Sequence, residues 1–216
     1  MNATHSLYLR SLSGLMLSAA AVVQLPAEGG FIHPGLLHSQ SDLERMRAAV
    51  AKEEGPIYAG FQKLKEGEHW RADYRRQGPF PEIGRAPTIR IGEARNDAEA
   101  AYQNALMWAI TGEQEHADKA IEIINAWVGS LKKVTGIDGV LAAGLEGFKF
   151  VNAAELLRHT DSGWPEVDAE RCEKWFMDAW YPTIRHYAHF ANGNWETAAL
   201  QTKMAIAVFC DDRQLF

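Results

Sequence analysis

Cysteine is scarce in this chain. Cys172 and Cys210 are the only two in 216 residues, which excludes a disulfide framework and a cysteine-based metal site. Cys210 ends a continuous apolar run, which favours a buried free thiol; a single bridge is the alternative in an oxidising compartment. The basic excess that general nucleic-acid binding demands is missing too, since the formal net charge is -6. The mature chain has no apolar run long enough to span a bilayer. The compact catalytic signatures are also absent: there is no glycine-rich phosphate loop, no His-Glu-x-x-His and no Gly-x-Ser-x-Gly. Nothing in these patterns calls for a metal or a cofactor.

What is present is length and apolar content. At 47% hydrophobic the chain buries a real core, in one domain or at most two. Residues 1–27 have the pattern of an export signal: Arg10 precedes the apolar Leu12-Ser-Gly-Leu-Met-Leu-Ser-Ala-Ala-Ala-Val-Val23, and Ala19-Ala-Ala21 offers a small-residue cleavage site. That predicts a periplasmic or extracellular protein whose folded part covers 28–216. One stretch is locally basic. Between Trp70 and Arg95 six arginines (71, 75, 76, 85, 90, 95) face three acids, Asp73, Glu82 and Glu93. It reads either as a solvated loop or as a basic loop facing an anionic substrate.

The periodicity is helical. Ser41 with Glu44 forms a capping box that opens a helix to about Glu53, and Gly55-Pro56 starts another to about Glu66. Residues 67–95 show neither period and predict a long ordered loop. Asn96 with Glu99 suggests a second capping box, and Gly112 closes that helix. Further helices are expected over about 113–134, 140–159, 166–189 with a kink at Pro182, and 194–210, and Asp211 or Asp212 resembles the cap of one more. No segment reads as a strand. Residues 97–112 and 204–210 are apolar almost all round, as buried helices are, whereas 113–134 alternates Lys119, Glu122 and Lys132 with Ile121, Ile124 and Trp127. Inner helices alternating with outer ones describe an all-α fold, an incomplete α/α toroid of antiparallel helix pairs, or a helical solenoid.

The chemistry concentrates in Ala191-Asn-Gly-Asn-Trp-Glu196, which places two amides and an indole at a helix start. Amides and backbone N–H groups at a helix N-terminus suit a carboxylate. Neutralising a uronate carboxylate lets charge spread onto it when the neighbouring proton leaves. Asn194 is the candidate catalytic residue, and Asn192, Trp195, Asn104, Arg90 and Tyr187 are candidate substrate-binding residues. Tyr187, His186 and His189 are the candidates for moving the proton. Each has a plainer alternative. Asn194 serves equally as an N-cap, Asn192 as a turn residue before Gly193, Trp195 as core, and Asn104 as a partner for a buried backbone group. Glu146 with Glu155 or Glu196 could form the carboxylate pair of a glycoside hydrolase, but their spacing does not favour it.

Several segments in order resemble the alginate lyase superfamily. They are Phe31-Ile-His-Pro-Gly-Leu-Leu37, Asp42-Leu-Glu-Arg-Met46, Asn96-Asp-Ala-Glu-Ala-Ala-Tyr-Gln-Asn-Ala-Leu106, Thr111-Gly-Glu113 with Ala117-Asp-Lys-Ala120, Ile124-Asn-Ala-Trp127, Leu141-Ala-Ala-Gly144, Ala191-Asn-Gly-Asn-Trp-Glu196 and Val208-Phe-Cys-Asp-Asp-Arg213. The resemblance implies an α/α toroid, secretion, and cleavage of alginate or glucuronan by β-elimination. It places Asn194 at the carboxylate-neutralising amide. It also implies that the Tyr and His acting as base and acid lie in a later portion, so that residues 28–216 correspond to an N-terminal part without activity of its own. The rivals are a tetratricopeptide-like binding module, suggested by Tyr102, Ala105 and Leu106 followed by Thr111-Gly112, Ala117 and Ala120 but without a second copy, and an α/α-barrel hydrolase.

Overall fold

The computed structural model describes residues 30–186 and 193–216. Helix α1 (Gln40–Lys52) opens on a reciprocal capping box. Ser39 Oγ accepts from the Asp42 amide at 3.2 Å, and Asp42 Oδ2 accepts from the Ser39 amide at 3.0 Å. The box expected at Ser41 and Glu44 therefore lies two residues earlier, where Gly35 and Ser39 bridge antiparallel and deliver Ser39 in extended backbone. Helix α2 (Gly55–Leu64) follows with Pro56 in its first turn, as expected.

Helix α3 (Ile91–Thr111) begins five residues before the expected Asn96. Asn96 and Glu99 lie inside it: the Asn96 amide donates to Gln77 Oε1 at 3.0 Å and Glu99 accepts from Gln103 at 2.8 Å. The true start follows Arg90, whose backbone is left-handed (φ 49) and whose side chain does not cap, so no residue pattern marks it. Gly112 ends the helix with φ 74, a backbone that glycine tolerates best. Helix α4 (Gln114–Ser130) stops short of Val134 because β2 (Lys133–Thr135) intervenes. It pairs in parallel with β1 (Glu82–Gly84), Ile83 opposite Val134. This corrects the expectation of no strand; three residues are too few to show a two-residue period.

Helix α5 (Gly139–Arg158) is buried on nearly every side. Helix α6 (Glu166–Trp175) runs through a π-helical turn, Phe176–Trp180, into α7 (Tyr181–Ile184), so the irregularity expected at Pro182 sits just before it. Helix α8 (Asn194–Phe209) completes the elements. Beyond it, Asp212 Oδ1 accepts from the Gln214 and Leu215 amides at 2.9 and 3.0 Å, as a cap does.

The cross-links give the helix directions. Arg95 on α3 meets Glu146 on α5, Glu99 meets Lys149, and Trp108 Nε1 donates to the Thr160 carbonyl at 3.0 Å. Sequence numbers rise together, so α3 and α5 are parallel. Likewise Thr202 Oγ1 donates to the Gly144 carbonyl at 2.6 Å, and Arg158 reaches the Phe209 carbonyl at 3.4 Å, so α5 and α8 are parallel. By contrast Asn104 meets His116 while Asp97 meets Trp127, which makes α4 antiparallel to α3. Phe150 meets Trp175 while Arg158 meets Glu166, which makes α6 antiparallel to α5. Three parallel helices thus form an inner layer, with α5 between α3 and α8, and α4 and α6 cover its back. Trp127, Phe150, Trp175, Phe176, Trp180 and Phe209 interlock through tilted and edge-to-face contacts between the layers.

Two features hold this arrangement. A methyl group on Gly144 would overlap the Ala198 backbone, and one on Gly147 would press on Trp180 and Thr202, so only glycine allows α8 to lie this close to α5. Asp97 is fully buried. Its carboxylate accepts from Tyr74 Oη at 3.0 Å, the Gln77 and Gly78 amides at 2.8 and 2.9 Å, and Trp127 Nε1 at 2.9 Å. One carboxylate therefore ties the long loop and α4 to α3. The cysteines are both free, Cys172 buried and Cys210 half-buried, and burial pushes the Cys210 thiol up to about 12.

Asp97→Ala leaves four donors without their acceptor, the buried Tyr74 hydroxyl and Trp127 indole among them, and should cost at least about 3 kcal/mol, measured as a drop in urea midpoint. The Asp42 carboxyl, held at about 2 by its bonds from Ser39, supports α1 fully above its ordinary value of 3.8 and loses that support as pH falls through about 2. In Ser39→Ala its NMR titration midpoint should return toward 3.8.

Candidate active site

Because the inner helices are parallel, their N-termini share one end. None of the three carries a side-chain cap: the residues preceding them are Arg90, Asp138 and Gly193. Each points the positive end of its dipole the same way, with no bond from its own N-cap side chain to a first-turn N–H. At α8 the N-cap is Gly193, with φ 111 and ψ -121, a conformation accessible essentially to glycine alone. Asn194 is therefore the first helical residue and not the cap. Its side chain is exposed and makes no hydrogen bond to any described residue. A shallow cavity of about 350 Å³ lies beside it, lined by Gly193, Glu196, Thr197 and Leu200.

The other expected residues are placed as follows. Arg90 lies at the same end, donating to Glu93 at 2.9 Å and stacking its guanidinium 4.8 Å from the Phe80 ring centre. Trp195 is half-buried. Asn104 is fully buried, two turns inside α3. Its amide donates to the His69 and Ala100 carbonyls at 2.8 and 3.0 Å, and its oxygen sits 2.9 Å from His116 Nδ1. The structure displays the backbone-satisfying alternative for Asn104 and leaves the side chain nothing to offer a sugar. Asn192, Tyr187 and His189 lie outside the described residues, while His186 is exposed. Of the six loop arginines, five are engaged: Arg71 with Asp73, Arg76 with Glu122, Arg85 with Asp138, Arg90 with Glu93 and Arg95 with Glu146. The loop is thus closer to a set of local ion pairs than to an open basic surface.

The face of the inner layer not covered by α4 and α6 holds a charge relay that the sequence reading did not single out. Glu146 is almost wholly buried, yet it receives Arg95 Nε at 3.1 Å and Lys149 Nζ at 3.0 Å, and Lys149 also reaches Glu99 at 3.1 Å. Arg95 is half-exposed, and its terminal nitrogens bond to no described residue, so one edge of the guanidinium stays available to a carboxylate. Burial pulls the Lys149 ammonium down, but Glu146 and Glu99 outweigh it and hold it above 10.5. Burial pushes Glu99 up, but Gln103 and Lys149 prevail and keep it ionised below its usual value. The signal for this group was legible as Arg95 four residues before Glu99, and Glu146 three before Lys149, each pair on one helix face.

Two pairings fail as catalytic machinery. Glu146 and Glu155 are nine residues apart on one helix, about 13 Å along the axis and half a turn round. That exceeds the roughly 5–9.5 Å between glycosidase carboxylates. Tyr102 Oη lies 2.7 Å from His38 Nε2, but burial and Glu99 push the phenol up to about 12, the wrong direction for a base.

Three helix N-termini, the exposed Asn194 amide and the half-exposed Arg95 thus lie toward one end of the inner layer. The family model for alginate lyase matches residues 62–216, well over half of the chain. The chain belongs to the alginate lyase family, which implies a polysaccharide lyase and a polysaccharide substrate. No curated protein and no solved structure matches it.

Replacing Glu146 by Gln leaves only Glu99 against burial, so the Lys149 pKa, followed by NMR of its Cε, should fall. In the unaltered protein the stabilisation from this raised lysine is complete below 10.5 and is lost as pH rises through its higher folded value; in Glu146→Gln that loss should begin at lower pH.

Proposed function

We propose that this protein is an exported polysaccharide lyase that cleaves a uronic-acid polymer, alginate or glucuronan, by β-elimination. The parallel inner helices backed by antiparallel outer ones support an arc of an α/α toroid, and the substrate chain lies across its open N-terminal end. In the reaction a base removes the proton on C5, the C5 electron pair forms the C4=C5 double bond, and the glycosidic oxygen on C4 departs with a proton from an acid. No water is added. The difficult step is the first, because charge builds beside a carboxylate already negative.

Asn194 is the residue that eases it. Its amide donates to the substrate carboxylate while the first N–H groups of α8 and the helix dipole hold the developing enolate. Asn192, two residues earlier in sequence, supplies a second amide. Trp195 offers a ring face, and Tyr187 stands close enough in sequence to line the same subsite. Arg90 and Arg95 serve neighbouring uronates along the chain, Arg95 with the greater freedom. Residues 1–27 act as the export signal, so the working compartment is the periplasm or the exterior.

The observation that carries this reading is the exposed Asn194 amide, bonded to no described residue, in the first turn of α8 within a chain of the alginate lyase family. The test is the ultraviolet absorbance of the conjugated unsaturated uronate, followed as the intact gene product that contains residues 1–216 acts on alginate and on glucuronan. Asn194→Ala should lower turnover by about 100-fold with an unchanged melting temperature, since this side chain bonds to no described residue. Reducing ends without that absorbance would make the protein a hydrolase, and an Asn194→Ala rate equal to the parent's would remove the amide from the mechanism.

A further inference from the structure

At the opposite end of the inner layer, four side chains from three separate stretches converge. They are His33, from the segment leading into α1, Glu155 and His159 from the end of α5, and Asp211 just past α8. Glu155 and His159 are four residues apart and share one helix face. The Glu155 carboxylate is buried, 1% exposed. Its Oε1 accepts from His33 Nδ1 at 2.7 Å and from the Gly35 amide at 2.8 Å. Its Oε2 accepts from no described residue. His159 Nε2, 3.7 Å away, is likewise shut off from solvent and without a hydrogen-bond partner.

A buried carboxylate oxygen and a buried imidazole nitrogen, both idle and facing each other, demand an explanation. Their separation is too long for a hydrogen bond. It is the span of two atoms that each sit about 2.0–2.2 Å from one ion at an angle of roughly 115–135°, a little wider than tetrahedral. One donor atom each of His33, Glu155 and His159 lies within 4.8 Å of the other two. Behind His33, Asp211 Oδ1 stands 3.5 Å from Nε2, and Asp211 is itself anchored by the Phe31 amide at 2.8 Å.

We propose that His33, Glu155 and His159 bind a divalent transition-metal ion of the zinc class. Glu155 Oε2 and His159 Nε2 form the preset half of the site. His33 supplies Nδ1 by turning out of its near-parallel stack on His159, in which the ring centres are 4.2 Å apart. As it turns, Nδ1 leaves Glu155 Oε1 for the ion, Oε1 keeps the Gly35 amide, and Nε2–H stays directed at Asp211. That carboxylate behind a ligating imidazole fixes its tautomer and raises its basicity. A water fills the fourth position. Two imidazoles and one carboxylate favour zinc or cobalt over calcium or magnesium, which take oxygen-rich shells. The site is at the end of the inner layer remote from Asn194, so its role is to fasten residues 31–35 to α5. The proposal departs from the sequence reading, in which no metal spacing was visible, because His33 is brought to the site only by the fold.

The test uses tag-free protein stripped with a chelator. Titration with zinc ion in a calorimeter should show one ion per chain and raise the melting temperature, and cobalt(II) should give the intense visible bands of four-coordinate ligation. Because His159 Nε2 bonds to nothing, His159→Ala should fold normally yet lose at least about 100-fold in zinc affinity, beyond the roughly 10–100-fold cost of losing an outer partner. Glu113→Gln, which dismantles the exposed cluster of Glu113, Glu115 and His116, should bind zinc as the parent does. Failure to bind a stoichiometric ion, parental affinity in His159→Ala, or loss of binding in Glu113→Gln would each overturn the proposal.

Discussion

The architecture depends on how closely two parallel helices approach each other. Glycines at 144 and 147 give α5 a face with no side chains, and α8 settles on it until Thr202 can donate to the Gly144 carbonyl. That contact sets the height and rotation of α8, and therefore where Asn194 and the first N–H groups of that helix emerge. Parallel helices have no favourable dipole pairing, so the layer must be held by packing and by specific cross-links. The interlocked aromatic rings behind α5 supply the first, and the Arg95–Glu146–Lys149–Glu99 relay supplies the second across α3 and α5. A buried Glu146 is tolerable only because two cations neutralise it.

Asp97 performs the corresponding task on the other side. A loop of some twenty-five residues between α2 and α3 would cost much chain entropy if it were merely draped over the surface. Four donors converging on a single buried carboxylate define its path, and the site admits no side chain at Gly78, where a methyl group would overlap the Trp127 indole. Loop, outer helix and inner helix are thereby registered to one point, and β1 is delivered to β2 next to the N-terminal end.

Much of this was legible in residue patterns, and the failures have common causes. The helices with apolar stripes or glycine stops were visible: Gly112 ends α3, Gly55-Pro56 starts α2, and α8 begins at Asn194. The start of α3 was not, because tertiary contacts and not a capping side chain decide it at Arg90. The two strands were too short to show alternation. Ser39-x-x-Asp42 and Ser41-x-x-Glu44 are equally good capping patterns, and only the bridge at Gly35 chooses between them. Asn104 illustrates a deeper limit: an amide on a greasy helix can face either a ligand or the backbone, and three oriented partners, none close to it in sequence except Ala100, settle that. The candidate amide at 194 was read from its neighbours, yet whether it caps the helix hinges on the backbone angle of Gly193.

The two ends of the inner layer are chemically unlike, and the contrast explains how one scaffold can be both rigid and reactive. At the C-terminal end, cations answer the helix carbonyls: Arg47 Nε donates to the Ala109 carbonyl at 2.6 Å, and Arg158 to that of Phe209. This is the favourable sign for a helix dipole. The segment around His33 is pinned there by Glu155 and by the Asp211 turn. At the N-terminal end no N-cap side chain bonds back to its helix among the described residues, and Glu93 on α3 and Glu196 on α8 are the acids of the first turns. Cation-to-carbonyl bonds are thus concentrated at the C-terminal end, while the N-terminal end keeps helix-start donors that no N-cap side chain occupies among the described residues. An enzyme that must loosen a proton beside a carboxylate needs that second condition, because a donor already bonded to its own protein has nothing left for a transition state.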